Sequence, residues 1–210
     1  MVKLEHVLPA DIEKTSFSII GAELKEMGKT VDEELIPIIY RVIHTTADFE
    51  YADTMCFSDN ALARADEALR KGAHIVTDTN MAWSGINKSI LKSFGGEAHC
   101  FMADPDVAAE AKERQVTRAT ICMEKAIRMG VPTIYAIGNA PTALVALYEA
   151  IQNGYRPELI IGVPVGFVNV VASKELIMET DIPYIINRGR KGGSNVAAAI
   201  CNALMYRTRR

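Results

Sequence analysis

Apolar residues recur along the chain with two periods, and the switches between them predict its elements. From Asp11 to Met27, Ile12, Phe17, Ile19, Ile20 and Leu24 supply the apolar positions of a helix, with Gly28 as its stop. Thr30-Val-Asp-Glu33 has capping-box spacing for a second helix, and beyond it Leu35, Ile38, Ile39, Val42 and Ile43 form a stripe with His44 almost opposite. Pro37 either kinks that helix or marks the first turn of a later start. Short β-type runs follow at Met55 to Phe57, His74 to Thr77, Glu97 to Phe101, after Pro132, from Leu159, and at Pro183 to Asn187. Helices are predicted between them: Ala61 to Lys71, one opened by Asp104-Pro105, Thr117 to Met129, one beginning after Gly138-Asn-Ala-Pro, Ala172 to Met178, and a last one to Tyr206. Met81-Ala-Trp-Ser-Gly-Ile86 has no regular period and is predicted irregular.

Strands alternating with helices imply an α/β fold, three layers α/β/α around a mostly parallel sheet covered on both faces. The 210 residues fit one domain, 1–210, with no linker-like break. With 49% hydrophobic and 23% charged residues, the composition is that of a soluble globular protein. No apolar run reaches the roughly 18 residues needed to cross a bilayer, and the first residues lack a signal-peptide core, so the expected compartment is the cytoplasm, with no membrane partner. Cys56, Cys100, Cys122 and Cys201 form no close pair and are read as reduced core thiols. A net charge of −3 argues against nucleic acid as a partner, so an anionic ligand must be met locally.

Candidate chemistry gathers in three loops after three late strands: Gly138-Asn139-Ala-Pro-Thr142, Gly162-Val-Pro-Val-Gly166 and Gly189-Arg-Lys-Gly192-Gly193-Ser194. At the carboxyl ends of parallel strands such loops form ligand floors, and their glycines let backbone come close to a ligand; alternatively they are ordinary turns. None is a standard nucleotide motif, since G-x-x-x-x-G-K-[ST] and G-x-G-x-x-G are both absent. Arg188, Arg190 and Lys191 either hold carboxylates or phosphates or form a solvated basic loop.

Among four histidines, His44 is the acid/base candidate. It lies near a helix end whose dipole favours the imidazolium, where it either donates protons or only caps carbonyls. Arg118 falls in the first turn of its helix, against the dipole by about 0.3 to 1 kcal/mol, a cost that a ligand carboxylate would offset. Asp78, after the second strand, is either a helix cap or a polar group of the site, with the cap preferred. No metal-ligand spacing links the histidines.

The chain resembles the precorrin-8 methylmutase (precorrin isomerase) family over essentially its whole length. The resemblance rests on Ser16-Phe-Ser-Ile-Ile-Gly-Ala-Glu23, Arg41-Val-Ile-His44, Ala136-Ile-Gly-Asn-Ala-Pro-Thr-Ala-Leu144, Gly162-Val-Pro-Val-Gly-Phe-Val168, Ser173-Lys174 and Arg188-Gly-Arg-Lys-Gly-Gly-Ser194, in this order and spacing. The run His44-Thr-Thr-Ala-Asp-Phe-Glu-Tyr51 resembles the branch that handles cobalt-containing intermediates. The resemblance implies a flavodoxin-like fold and a homodimer with sites at the subunit interface. It also implies an isomerase of cobalamin biosynthesis that moves a methyl group from ring carbon 11 to ring carbon 12 of (cobalt-)precorrin-8, giving cobyrinate or hydrogenobyrinate. The family's catalytic histidine falls on His44, its serine on Ser16, and its substrate-contacting arginines on Arg41 and Arg118. Gly138, Asn139, Thr142, Gly166, Arg188, Gly192, Gly193 and Ser194 are the expected wall and floor for a tetrapyrrole. No cofactor and no metal is expected, because a methyl shift within one molecule needs a proton donor and a held geometry. Two other classes stay open: a corrinoid carrier without catalysis, and an α/β enzyme holding a nucleotide or flavin phosphate on the late loops.

Overall fold

The computed structural model describes His6 and residues 8–209. Most of the segment read for a signal peptide lies outside them. After a 3-10 turn at Pro9–Asp11, helix α1 (Ile12–Glu26) packs against α2 (Ile36–Thr46). The one-turn α3 (Tyr51–Thr54) leads into β1 (Met55–Phe57), followed by α4 (Ala61–Arg70), β2 (His74–Thr77), α5 (Asn80–Gly85), α6 (Lys88–Ser93) and β3 (Ala98–His99). Then come α7 (Pro105–Arg114), α8 (Arg118–Arg128), β4 (Thr133–Ile137), α9 (Pro141–Gln152), β5 (Leu159–Gly162), α10 (Val170–Met178), β6 (Tyr184–Asn187) and α11 (Ser194–Arg209).

The sheet order is β1-β6-β5-β4-β2-β3, with β1 antiparallel to β6 and every other pairing parallel. Numbered among themselves, the five parallel strands run 2-1-3-4-5, the flavodoxin-like order. Strand direction of growth therefore reverses between β2 and β4. Residues of one strand alternate between two cores. Ile134 and Ala136 of β4 face α1, α2, α4, α5, α6 and α11, whereas Tyr135 and Ile137 face α7, α8, α9 and α10.

Two expectations are corrected. The Thr30 to Glu33 capping box is not used: α2 starts at Ile36, with Pro37 in its first turn. A helix begun near Val31 would have put Pro37 in its interior, where the missing N–H and the ring clash cost about 3 kcal/mol; in the first turn both are harmless. The stretch after Asp78 is not irregular. Thr79 accepts from Ala82 N at 3.1 Å and caps the short α5, whose Trp83 Nε1 donates to Ala98 O at 2.8 Å. Six residues are too few to display a period, so tertiary packing against α11 decides.

The phase of the α2 stripe holds. Ile38, Ile39, Val42 and Ile43 are buried, each contributing about 2 kcal/mol of transfer free energy, and they lock α2 onto α11 with His44 on the outside.

The glycines of the late loops face one another. A Cβ on Gly138 would lie 2.7 Å from Ser194 Cα, and one on Gly192 would overlap the Val163 carbonyl oxygen. These glycines serve first to let three loops nest together, which the ligand-floor reading had attributed to a ligand. Gly192→Ala should therefore lower unfolding stability by about 2 kcal/mol or more, read as a fall in the urea midpoint at unchanged slope.

Candidate functional site

In a sheet of this order the expected ligand position is the crevice where strand order reverses, above β2 and β4. That crevice is filled from within. Asp78, at the end of β2, is fully buried. Its Oδ1 accepts from Gly138 N at 2.8 Å, and its Oδ2 accepts from Asn139 N at 2.8 Å and Ala140 N at 2.6 Å. Burial outweighs the pull of the three N–H donors and holds the carboxyl's pKa above its ordinary value. With both oxygens accepting, the geometry fits the carboxylate form.

Asp78 is therefore not the cap of its own helix, a role that Thr79 takes. It also corrects the role expected of Gly138 and Asn139: their N–H groups are spent on an internal carboxylate and cannot cradle a phosphate or a ligand carboxylate. The reading with a nucleotide or flavin phosphate loses its main donors. Nearby, Gly193 N donates to Val163 O at 2.9 Å, Gly166 N to Arg190 O at 3.2 Å, and Ser194 Oγ shares a hydrogen bond of 2.7 Å with Thr79 Oγ1. The three loops make a rigid platform.

The basic loop after β6 divides among different partners. Lys191 bridges Asp48 at 2.6 Å and Glu50 at 2.7 Å, so it is an exposed charge already paired with carboxylates and not a free anion ligand. These two hydrogen-bonded carboxylates push its pKa up. Arg190 lies over the Phe167 ring at 5.3 Å. Arg188 is exposed and lines a hollow of about 370 Å³ with Lys174, Glu175 and Glu179.

His44 stands elsewhere, exposed on the last turn of α2 between two hollows. One, about 350 Å³, is lined by Arg41, His44, Met81, Asn195, Ala198 and Asn202 among others. The second, about 320 Å³, is lined by Ser16, Ile19, Glu23, His44, Ala47 and Phe49 among others. Packing of α1 on α2 brings Ser16 to the same hollow as the histidine, and Phe17 meets its ring edge-on with centroids 6.0 Å apart. Ser16 Oγ donates to Ile12 O at 2.9 Å, which leaves its lone pairs available as acceptors.

Arg41 is already engaged. Its guanidinium lies 4.7 Å from the Tyr206 ring centroid and 5.5 Å from that of Phe17, and Nη2 donates to Glu13 Oε1 at 2.6 Å. The Glu13 side chain is 56% exposed, so it can swing away if a ligand carboxylate takes its place.

Arg118 and Thr142 belong to the opposite helix layer. Arg118 is the exposed first residue of α8, and Thr117 beside it shares a hydrogen bond of 2.8 Å with Thr142 Oγ1 at the start of α9. Ser16, Arg41 and His44 thus converge, while Arg118 and Thr142 form a separate group. Sequence reasoning missed Asn195, Asn202 and Met81 as lining residues. Only the amphipathic phase of α11 could have pointed to the two asparagines.

His74, Glu97 and His99 offer donor atoms within 4.8 Å of one another, a grouping that sequence spacing could not show because it is made across β2 and β3. His74 Nδ1 and His99 Nε2 are 2.8 Å apart. Two nitrogens on tetrahedral zinc sit roughly 3.3 Å apart, given Zn–N bonds of about 2.0 to 2.1 Å. The pair as it stands is a hydrogen bond, stacked beside Phe101.

A family model described as precorrin-8X methylmutase matches residues 11–207. The chain is 44% identical over 199 residues to a cobalt-precorrin-8 methylmutase of Priestia megaterium, covering 94% of this chain and 88% of that one. It is 43% identical to the cobalt-precorrin-8 methylmutase of Salmonella typhimurium, with 96% of each covered. A solved structure of a precorrin-8x methyl mutase from Thermus thermophilus superposes with a TM-score of 0.86 at 38% identity, covering 95% of this chain and 98% of that one.

Replacing Asp78 by Asn keeps the shape but points an amide N–H₂ at backbone donors. Stability should fall by about 3 kcal/mol, measured by urea unfolding, because at least one buried N–H loses its acceptor. Unchanged stability would show that the loop holds without this carboxylate.

Proposed function

The chain belongs to the precorrin-8X methylmutase family, and from that premise we propose how its residues carry out the family's methyl-shift isomerisation in cobalamin biosynthesis. The chain is an isomerase. Our reading of its reaction is a transfer from ring carbon 11 to ring carbon 12 of the macrocycle, with cobalt-precorrin-8 as substrate and cobyrinate as product. The names of the Priestia and Salmonella relatives support the cobalt form.

The observation that carries the site assignment is the position of His44, exposed between two hollows and flanked by Ser16 and Arg41. Two adjoining hollows separated by one side chain suit a broad, flat ligand better than a compact one. In this reading the macrocycle lies across α1, α2 and the first turns of α11. His44 donates a proton or strong hydrogen bond to the conjugated ring, which makes the neighbouring carbon electron-poor enough to accept the methyl group. One carbon–carbon bond breaks, one forms, and the proton returns to the histidine; atoms balance without a co-reactant or cofactor. Ser16 orients the ring edge beside His44.

The macrocycle's peripheral carboxylates give work to cations. Arg41 exchanges Glu13 for a substrate carboxylate, and Arg118, Arg188 and the Thr142 hydroxyl, which lie away from the His44 hollows, meet others from across the subunit interface. Gly138, Asn139, Gly166, Gly192, Gly193 and Ser194 act through the platform they build, with shape as their contribution. The protein works as a single domain over 1–210, in the cytoplasm, as a homodimer with its sites at the subunit interface. The dimer is supported by Phe167 at 81% and Val168 at 79% exposure on the loop beside Arg190, a costly apolar surface unless a second copy covers it. Among the described residues, no helix is long and apolar enough to cross a membrane.

Incubation with cobalt-precorrin-8, following the visible spectrum and the methyl positions of the product, tests the assignment. His44→Asn should fold normally by circular dichroism and lose 10² to 10⁴-fold in kcat. Near wild-type turnover would remove His44 from the chemistry. Arg118→Ala should raise KM several-fold with a smaller effect on kcat, since it contributes binding and not proton transfer.

A further inference from the structure

Lys174 is the most deeply buried cation among the described residues, with a relative exposure of 1%, and the reaction as proposed gives it nothing to do. It sits on α10, beneath the loop that joins β6 to α11. Its Nζ donates to Gly189 O at 2.8 Å and to Lys191 O at 2.9 Å. The buried Asn187 works from the same side, its Nδ2 donating to Arg188 O at 3.1 Å and Lys191 O at 3.0 Å, with its Oδ1 held by Thr54 Oγ1 at 2.7 Å. The loop above includes Gly189, Gly192 and Gly193, all at positive φ, so its own sequence imposes little conformation. Burying an ammonium costs several kcal/mol of lost hydration unless hydrogen bonds replace it, and here loop carbonyls do so.

The held loop has two outlets toward His44. The Lys191 side chain reaches Asp48 and Glu50, four and six residues beyond the histidine. The main chain runs on into α11, whose Asn195, Ala198 and Asn202 line the hollow shared by Arg41 and His44.

We propose that Lys174 is a positioning residue for the isomerisation: from below, it fixes the Arg188 to Gly193 loop, and through that loop it fixes the wall of the hollow beside His44. This rests on the reading of His44 as the acting residue. The ammonium form makes charge-assisted bonds to both carbonyls and the neutral amine makes weaker ones. The groups that face it are Glu175, Glu179 and Arg188 in the adjoining hollow, and Lys191, which is itself paired with Asp48 and Glu50. Burial lowers the Lys174 pKa to about 8. Desolvation outweighs those bonds: releasing Lys174 to solvent takes up a proton, so the held loop is weakest at low pH and gains stability as pH rises past about 8.

The test compares wild type with Lys174→Met and Lys174→Arg, each first shown to fold by circular dichroism. Two readouts are used: hydrogen-exchange protection of the Gly189 to Gly193 amides, and kcat and KM for cobalt-precorrin-8 from pH 6 to pH 10. Lys174→Met should lose at least tenfold in loop protection and tenfold to a hundredfold in kcat, the range expected when a site is misplaced by about an ångström. Wild-type loop protection should rise as pH climbs past about 8, a rise that Lys174→Met lacks. Lys174→Arg, which stays charged throughout, should keep the loop bonds and most of kcat without that pH-dependent rise. If the arginine does not fit, the methionine comparison decides by itself. Loosening of the loop without a change in kcat would overturn the proposal, as would an unaltered loop. A His44→Asn enzyme run alongside separates the two ideas: if it stays active, the reading of the histidine fails on its own result, whatever the loop does.

Discussion

A carboxylate inside the fold occupies the place where a sheet of this order usually receives its ligand. Asp78 takes three successive backbone N–H groups at the turn between β4 and α9, and much of the remaining architecture follows from that substitution of an internal anion for an external one. The turn becomes rigid, Gly138 can rest against Gly193 and Ser194, and the loops after β4, β5 and β6 pack as one body. With a rigid platform at the switch point, the proposed reading puts acid/base chemistry on the helices added before the sheet.

Those helices suit the task for a plain mechanical reason. The inner face of α2 is a stripe of buried aliphatic side chains against α11, so its outer face can carry a polar residue without mobility. His44 sits on the last turn, just ahead of Ala47 in a left-handed conformation that ends the helix. The ring is therefore exposed but its backbone is fixed. Phe17 and Tyr206 hold Arg41 from two sides, and Glu13 occupies its fork. The charges of the site are arranged before any ligand arrives.

Periodicity made the strands and most helices legible, because burial against a sheet imposes spacing on sequence. It also placed His44 outside the core, from its angle to the Leu35 to Ile43 stripe. It failed where local signals compete with tertiary ones. Thr30 to Glu33 looks like a cap, but Pro37 sets the start of the helix; α5 has too few residues to show a period and is held by Thr79 and α11. The glycine loops were correctly located, yet their neighbours lie across β4, β5 and β6, and no local reading could tell that Gly138 faces Ser194 or that its N–H belongs to Asp78, sixty residues earlier. The meeting of Ser16 with His44 depends on how two amphipathic helices pair, and sequence gives each stripe but not the pairing. Membership in the family supplied that relation in advance, through residues whose local signals are weak one by one.

The engaged state of the cations has a kinetic consequence. Arg41 is paired with Glu13, and Lys191 with Asp48 and Glu50, so a polyanionic macrocycle does not approach bare positive charge there. On the proposed reading, docking at Arg41 exchanges one carboxylate for another, and the net change in ion pairing there is close to zero. At long range a chain of net charge −3 and a polyanion repel each other, and salt screens that repulsion. Such a protein selects its ligand by fit at short range, and added salt should speed the encounter.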